Sequence, residues 1–247
     1  MQVFKIPNSI KKDSKYTFCP GCDHGVAIRL VAEVIDELGL REDTIGISSS
    51  GCSVFIYDFL DIDYLEAPHG RAMAVATGAK RAKPDKFVFS YQGDGDFAAI
   101  GIAESTYASL RAENLSAICI NNTNYGMTGG QLAPTTLMGQ KTTTSPMGRF
   151  KETYGYPIKI AEHIALSEGT AYSARVALDT VAHINQAKKA IKKSFEVQLN
   201  GLGFGFVEIL STCPTNWKMS PEDAHKHVKE EMIPVFPLGV FKDITEK

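Results

Sequence analysis

Apolar positions along the chain alternate between a helical rhythm and short uninterrupted runs. Residues 25–39 place Ala27, Ile28, Val31, Val34, Ile35 and Leu38 at helical spacing, and Gly39 is placed to stop that helix. A short apolar strand follows at 44–48 and ends at Gly51-Cys52. Residues 70–82 are small and helix-compatible, and their glycines imply close helix packing. A strand at 87–91, a helix at about 97–112 and a strand at 115–120 form one βαβ unit. Residues 123–157 hold no long periodic segment and are rich in Gly, Thr, Pro and Met, which predicts an extended functional loop. Beyond it come a strand at 172–177 and an amphipathic helix at 180–198. That helix carries Val181, Ile184, Ala187, Ile191 and Phe195 on one stripe with lysines opposite, and a strand at 206–210 follows it. Strands alternating with helices predict an α/β fold with a doubly wound, mostly parallel sheet whose ligands gather beyond the carboxyl ends of the strands. Cys52, Asp94, Asn122 and Cys213 each fall just past a predicted strand, so they are expected to share one rim.

Composition changes this picture little. A chain of 247 residues can bury a large core. With a net charge of −2 and a sequence pI near 6.3, nothing points to a nucleic-acid or membrane-surface partner. No run of 18 apolar residues occurs, and the polar opening Met-Gln-Val-Phe-Lys-Ile-Pro does not read as a signal peptide, so a soluble, cytoplasmic protein is expected. No internal repeat or low-complexity tract is evident.

The chemistry is concentrated in two sets of residues. Gly93-Asp94-Gly95-Asp96 follows one apolar strand, and Asn121-Asn122 ends the next. Glycines let a backbone approach a diphosphate closely. An Asp carboxylate with an Asn side-chain oxygen suits a small hard cation such as magnesium, which would bridge protein and diphosphate. A lone Gly-Asp-Gly is more often an ordinary turn; the double Asn, the strands on both sides and the continuation Tyr125-Gly126-Met127-Thr128-Gly129-Gly130-Gln131 raise its weight. The second set is cysteines: Cys19-Pro20-Gly21-Cys22, Cys52 in Ser50-Gly51-Cys52-Ser53, and Cys213 in Thr212-Cys213-Pro214. Four thiolates can hold one iron–sulfur cluster. Ligand type alone also admits a structural zinc site, a thiol–disulfide pair or buried small hydrophobes. Cys119, inside an apolar strand, fits the last of these.

The spacing of Gly93–Asp96 and Asn121-Asn122 resembles the thiamine diphosphate motif of the transketolase and pyruvate-oxidoreductase superfamily. Together with the cysteines, it resembles the β subunit of the 2-oxoacid:ferredoxin oxidoreductases of the 2-oxoisovalerate/2-oxoglutarate type, from about Cys19 to Cys213. The resemblance implies a single thiamine diphosphate-binding domain over residues 1–247, with an N-terminal cluster loop and a C-terminal arm. It implies that Asp94 and Asn122 bind magnesium through side chains and Asn124 through its backbone carbonyl. Gly93, Gly95, Asp96, Gly126 and Met127 would line the diphosphate or the thiamine, with Ser50, Gly51, Cys52 and Ser53 also in the cofactor pocket. Cys19, Cys22, Cys52 and Cys213 would hold one 4Fe–4S cluster. A His-Gly-Arg at this place in the family puts His69 near the diphosphate or substrate as a catalytic residue, with Arg71 on the same anion or in a structural ion pair. Where relatives commonly read Cys-Gly-His, this chain has Cys22-Asp23-His24; Asp tolerates the left-handed backbone conformation better than most residues. His163, His183, His225 and His227 read as solvated or helix-surface positions, and Trp217 as packing over the C-terminal arm.

The implied activity is oxidative decarboxylation of a 2-oxoacid to acyl-coenzyme A and carbon dioxide, with electrons leaving through the cluster to ferredoxin. Only the diphosphate half of a thiamine site is visible here, so the resemblance implies a heteromer. An α subunit would complete the site, and γ and δ subunits would be further members. Val54, Phe55, Ile56 and Tyr57, just beyond Cys52, predict an apolar substrate lining that favours a branched-chain 2-oxoacid over 2-oxoglutarate. A non-oxidative thiamine decarboxylase or carboligase subunit, its cysteines incidental, is the alternative, and a non-catalytic zinc-stabilised module is a third reading.

Overall fold

The computed structural model describes residues 5–245. The chain runs α1 (His24–Glu37), β1 (Thr44–Ser49), β2 (Asp63–Ala67), α2 (Ala72–Ala82), β3 (Phe87–Gly93), α3 (Ile102–Leu110) and β4 (Ser116–Asn121). Two-residue strands β5 (Asn124–Tyr125) and β6 (Gln131–Leu132) pair in the following loop, which ends with α4 (Lys151–Tyr154). The rest comprises α5 (Ile160–Ala165), β7 (Thr170–Ala177), α6 (Val181–Leu199), β8 (Phe204–Leu210), α7 (Pro214–Trp217), α8 (Pro221–His227), α9 (Ile233–Val235) and β9 (Gly239–Asp243).

Seven strands form one sheet in the order β2-β1-β3-β4-β8-β7-β9, parallel throughout except for the antiparallel pairing of β9 on β7. The central strands β4 and β8 are buried along their whole length, as expected for a parallel sheet covered on both faces. On one face α1 and α6 bury Ile28, Val31, Ile35, Ile191 and Phe195 against Phe87, Phe89, Ile118 and Val207. On the other, α2, α3 and α5 bury Met73, Ala108, Ile160 and Ile164 against Val88, Ala117, Cys119 and Phe206. Successive strand residues thus point into opposite layers. Cys119 lies wholly in the second layer, as its apolar strand predicts.

The doubly wound sheet and its long helices follow the hydrophobic rhythm. The predicted helix at 97–112 does differ, because a π turn over Asp96–Ile100 precedes α3. A Cβ at Gly101 would lie 2.8 Å from the carbonyl oxygen of Gly70, so the backbones meet there and the turn widens around the contact. Edge strands β2 and β9 and the short helix α5 have no predicted counterpart. β2 (Asp-Tyr-Leu-Glu-Ala) is largely exposed, so it lacks an apolar run. A third apolar cluster joins the C-terminal arm to the sheet through Leu137, Leu210, Val228, Met232 and Phe236. Trp217 packs on it, edge-to-face with His227 at 4.8 Å between centroids, in the packing role expected of it.

Beneath the sheet's centre lies a buried ionic network. Arg175, fully buried, pairs with Glu208 at 2.9 Å and with Glu162. Glu208 also accepts hydrogen bonds from the Asn121 side chain (2.7 Å) and the Ala161 amide (3.1 Å). The end of β4 is therefore fastened to β8, and through it to β7 and α5.

Candidate functional site

Four adjacent strands, β1, β3, β4 and β8, end on one rim, and the residues just past them are Cys52, Asp94, Asn122 and Cys213. Parallel register is what brings them together: Gly93 pairs with Ile120, and Asn121 with Leu210. A cavity of about 40 Å³ opens there, lined by Ser50, Gly51, Cys52, Ser53, His69, Gly93, Asp94, Gly95, Asp96, Asn122, Asn124, Tyr125 and Gly126. Most of the expected cofactor residues meet at this point. Met127 does not line it and is 45% exposed beside it.

Asp94 is 2% exposed and accepts a hydrogen bond from the Thr135 hydroxyl. Burial pushes its carboxyl up to about 7, against the opposing pull of that hydrogen bond. Asn122 and Asn124 are also buried. The Asn124 amide donates to the Asn122 side-chain oxygen at 3.3 Å, and the Asn124 side chain donates to the Asn122 carbonyl at 2.8 Å. Between them Thr123 holds φ +58, a left-handed conformation that is an outlier for a β-branched residue and costs strain. Its carbonyl accepts from the Thr136 hydroxyl at 2.6 Å and its hydroxyl from Gln140 at 2.9 Å. The loop 123–157 thus supplies Thr135, Thr136 and Gln140 as braces for the double-Asn turn. No periodicity in the sequence marks them.

A Cβ at Gly93 would meet nothing within 4 Å, whereas one at Gly95 would lie 2.2 Å from the Tyr125 ring. Gly93 leaves open space at the rim, and Gly95 makes room for Tyr125, whose hydroxyl donates back to the Gly95 carbonyl at 3.2 Å. The Asp96 carboxylate turns inward. Its oxygens accept from the Gly70 amide at 2.5 Å and from the Gln92 side chain. His69 Nδ1 sits 2.7 Å from Asp96 Oδ1, in ion-pair range, although the ring is not turned to make a hydrogen bond of it. Asp96 therefore lies beside His69, which lines the cavity. Arg71 resolves to the structural role: it pairs with Glu104 at 2.9 Å and donates to the Gly70 and Ile100 carbonyls. Ser53 Oγ, at the cavity, is buried without a hydrogen-bond partner.

All five cysteines are free thiols. Cys19 is exposed, Cys22 and Cys52 are half-buried and Cys213 is 8% exposed. The four outside β4 lie close enough to bear on one another electrostatically. Cys22 is pushed up to about 12, by burial first and also by Cys213 and Cys52. Cys52 rises to about 11 through burial, then Cys213 and Cys19, and burial likewise raises Cys213. Such thiols are neutral by themselves, and a cationic metal group is what would reverse that. Among the described residues no three His, Cys, Asp or Glu side chains converge to hold one metal ion. A single zinc needs thiolates about 2.3 Å from one point, whereas a cluster takes each thiolate on a different iron. Asn216 ties the two halves of the rim, donating to the Gly126 carbonyl at 2.8 Å and approaching Cys213 Sγ at 3.3 Å. Cys213 Sγ in turn lies 3.6 Å from Asn124 Oδ1.

Three expectations need correction. Asp23 is right-handed (φ −79) and 4% exposed, and the left-handed residue of the loop is Gly21 (φ +77). The Asp23 carboxylate lies 2.9 Å from His225 Nε2, so His225, partly exposed on α8, is also a partner of the cysteine loop. His227 is likewise packed, with burial lowering its pKa. Finally, residues Cys52–Asp58 form a 3₁₀ turn whose Ile56 is fully buried and whose Phe55 packs on the core. These two do not line the cavity, so the apolar-lining argument fails for them. His24, of uncertain role in the sequence, is buried, stacked on Phe18 and 2.8 Å from the Tyr91 hydroxyl.

The fold and rim are those of a parallel α/β domain whose strand ends form a ligand-binding edge. Residues 50–209 match the family described as thiamine pyrophosphate enzyme, C-terminal TPP binding domain, thiamine pyrophosphate being thiamine diphosphate. The chain is 45% identical over 226 residues to ketoisovalerate oxidoreductase subunit VorA of Methanothermobacter thermautotrophicus, covering 92% of this chain and 47% of that protein. It is 40% identical over 238 residues to 2-oxoglutarate synthase subunit KorB of Methanocaldococcus jannaschii, covering 94% of this chain and 83% of that one. A solved 2-oxoglutarate:ferredoxin oxidoreductase from Magnetococcus marinus, with 2-oxoglutarate, coenzyme A and succinyl-CoA bound, shares the fold at TM-score 0.77 and 24% identity, covering 98% of this chain and 86% of that one. The chain belongs to the thiamine diphosphate-binding subunit family of the 2-oxoacid:ferredoxin oxidoreductases. It spans about half the length of the VorA relatives.

Proposed function

We propose that this chain is the thiamine diphosphate-binding, β-type part of a 2-oxoacid:ferredoxin oxidoreductase that converts a 2-oxoacid and coenzyme A to acyl-CoA and carbon dioxide and passes two electrons to ferredoxin. One observation carries the reading: a single rim holds a buried Asp–Asn set beside thiols from separate parts of the chain. In this reading the Asp94 and Asn122 side chains and the Asn124 carbonyl hold Mg²⁺ on the diphosphate. Ser50, Gly51, Ser53, Gly93, Gly95 and Gly126 shape the cofactor's bed, with Met127 at its margin. His69, beside Asp96 at the cavity, would be the residue to hold or move a proton during the reaction. Thiamine diphosphate, when bound, supplies the electron sink for decarboxylation. Cys19, Cys22, Cys52 and Cys213 would hold one 4Fe–4S cluster as the electron exit, and a cationic core would favour the thiolate forms that burial opposes at Cys22, Cys52 and Cys213.

The cavity of about 40 Å³ on this chain is far below the roughly 300–1,000 Å³ of ordinary small-molecule sites. That supports a partner α subunit closing the site, in a heteromer to which γ and δ subunits also belong. No helix among the described residues is long and apolar enough to cross a membrane, and free thiols suit a reducing, cytoplasmic setting. Among substrates, a branched-chain 2-oxoacid such as ketoisovalerate is favoured over 2-oxoglutarate by the higher identity to VorA than to KorB.

The test is anaerobic purification of the intact complex with metal, sulfide and cofactor analysis. About four irons with matching sulfide, assignable to this chain, are expected. An iron-free chain that binds thiamine diphosphate and decarboxylates without ferredoxin would instead support the non-oxidative decarboxylase or carboligase. Specific activity on ketoisovalerate above that on 2-oxoglutarate is expected, and the reverse order would overturn the substrate assignment.

A further inference from the structure

One buried carboxylate joins the cysteine loop to the C-terminal arm. Asp23 Oδ2 accepts the Thr212 amide at 2.9 Å, and Oδ1 lies 2.9 Å from Nε2 of His225 on α8. A carboxylate facing a ring nitrogen accepts, so Nε2 carries the hydrogen. The Thr212 hydroxyl donates in the other direction, to the Gly21 carbonyl at 2.6 Å. Gly21 holds φ +77, and a Cβ there would lie 2.5 Å from Cβ of Pro221, the first residue of α8. The loop and the helix therefore touch where only glycine fits.

The arm reaches this point with a defined start. Ser220 caps α8, accepting the Asp223 amide at 3.1 Å, and Pro221 occupies the first turn. His225 then projects from the next turn onto Asp23. The chain between Asp23 and its partners runs through every strand of the sheet except β9, with sequence separations of 189 and 202 residues. Covalent connection therefore does nothing to keep Cys22 beside Cys213. The packing of α1 on the sheet brings the two regions together, and the side-chain bonds between loop and arm fix their spacing.

We propose that Asp23 and His225 form a latch that positions the 19–22 loop against Cys213, so that the C-terminal arm sets the separation of the thiolates and the lifetime of the group they hold. This rests on the reading of the four thiols as cluster ligands. Both residues are positioning residues and touch no reacting atom. Loss of a partner that orients a metal ligand typically costs about tenfold to a hundredfold in metal retention.

The test compares the anaerobically purified complex carrying wild-type chain, Asp23→Gly, Asp23→Asn and His225→Ala. The readouts are iron release to a chelator, and the midpoint potential and electron paramagnetic resonance spectrum of the dithionite-reduced cluster. Asp23→Gly and His225→Ala should release iron about tenfold faster or more, with an altered reduced-cluster spectrum. Asp23→Asn offers one acceptor oxygen where the carboxylate offers two, so it keeps the bond from the Thr212 amide and sets an N–H against the Nε2–H of His225. It should release iron at a rate between wild type and Asp23→Gly. His225 is partly exposed at the surface, which keeps the test available if Asp23→Gly does not fold. Wild-type iron content with unchanged release and spectra in the variants overturns the latch alone. A variant that only melts earlier, its cluster spectrum and release unchanged, also overturns it. An iron-free wild-type chain overturns the cluster reading and the latch with it.

Discussion

Asp94 and Asn122 stand at the ends of hydrogen-bonded neighbours, β3 and β4, whose register alone brings them together. Of the thiols at the other end of the rim, Cys52 and Cys213 also follow strands of the sheet, whereas Cys19 and Cys22 have no such framework. Cys19 and Cys22 come from a loop before α1, Cys52 from the end of β1 and Cys213 from the end of β8. The first region is held by the backbone ladder and braced by Thr135, Thr136 and Gln140. The second is held by side chains that span the chain, namely Asp23, Thr212, Asn216 and His225. The difference teaches that one site follows from the register of the sheet, whereas the other also depends on contacts between the cysteine loop and the C-terminal arm.

The sharpest way to break the comparison is to remove a thiol. Cys52→Ser should abolish iron content and visible colour while thiamine diphosphate still binds, whereas Cys119→Ser, buried in β4 away from the rim, should keep its iron. Equal iron in both variants, measured by metal analysis of anaerobic samples, would contradict the division into four ligands and one core residue.

Next in size is the network under both regions. Glu208→Ala leaves Arg175 buried with half its ion pairing and frees Asn121, so denaturant unfolding should lose about 3–5 kcal/mol. A loss below about 1 kcal/mol would mean that the ladder needs no ionic fastening.

Asp94→Ala bears on the diphosphate side alone. Magnesium-dependent thiamine diphosphate affinity should fall about a hundredfold by calorimetry, with iron unchanged. Retained affinity would refute the assignment of the loop, and parallel loss of iron would mean that the two regions are not independent.

The smallest effect concerns the arm. Burial lowers the pKa of His227 from its ordinary 6.5, so the unfolded chain takes up a proton at higher pH than the folded one. The resulting stability is fully present above pH 6.5 and is lost as pH falls through the lower folded value. Melting temperature should decline on acidification below that point more steeply in the wild type than in His227→Gln. Identical slopes would mean that the arm's packing does not depend on a neutral ring.

How far the sequence could be read follows the same division. The strands at 87–91 and 115–120, the glycine-rich turn and the double Asn were legible because period, turn residues and metal chemistry all act within a short span of chain. The edge strands β2 and β9 were not, since an exposed edge needs no apolar run. Asp23 invited a left-handed reading as a replacement for glycine. It is right-handed instead because it opens α1, its carbonyl accepting the Ala27 amide at 2.9 Å. Asn216, Thr123 and His225 carry no local signal at all.

The sequence by itself determined the alternation of strand and helix, the residues that end the strands and the chemical type of each donor, because these depend on side-chain size, polarity and spacing between near neighbours. Tertiary structure alone decided that Asp96 lies beside His69, that Ile56 belongs to the core and that α8 closes on the cysteine loop. Each of those is set by which distant groups compete for the same buried space and the same hydrogen bonds, and only the packed sheet brings them within reach of one another.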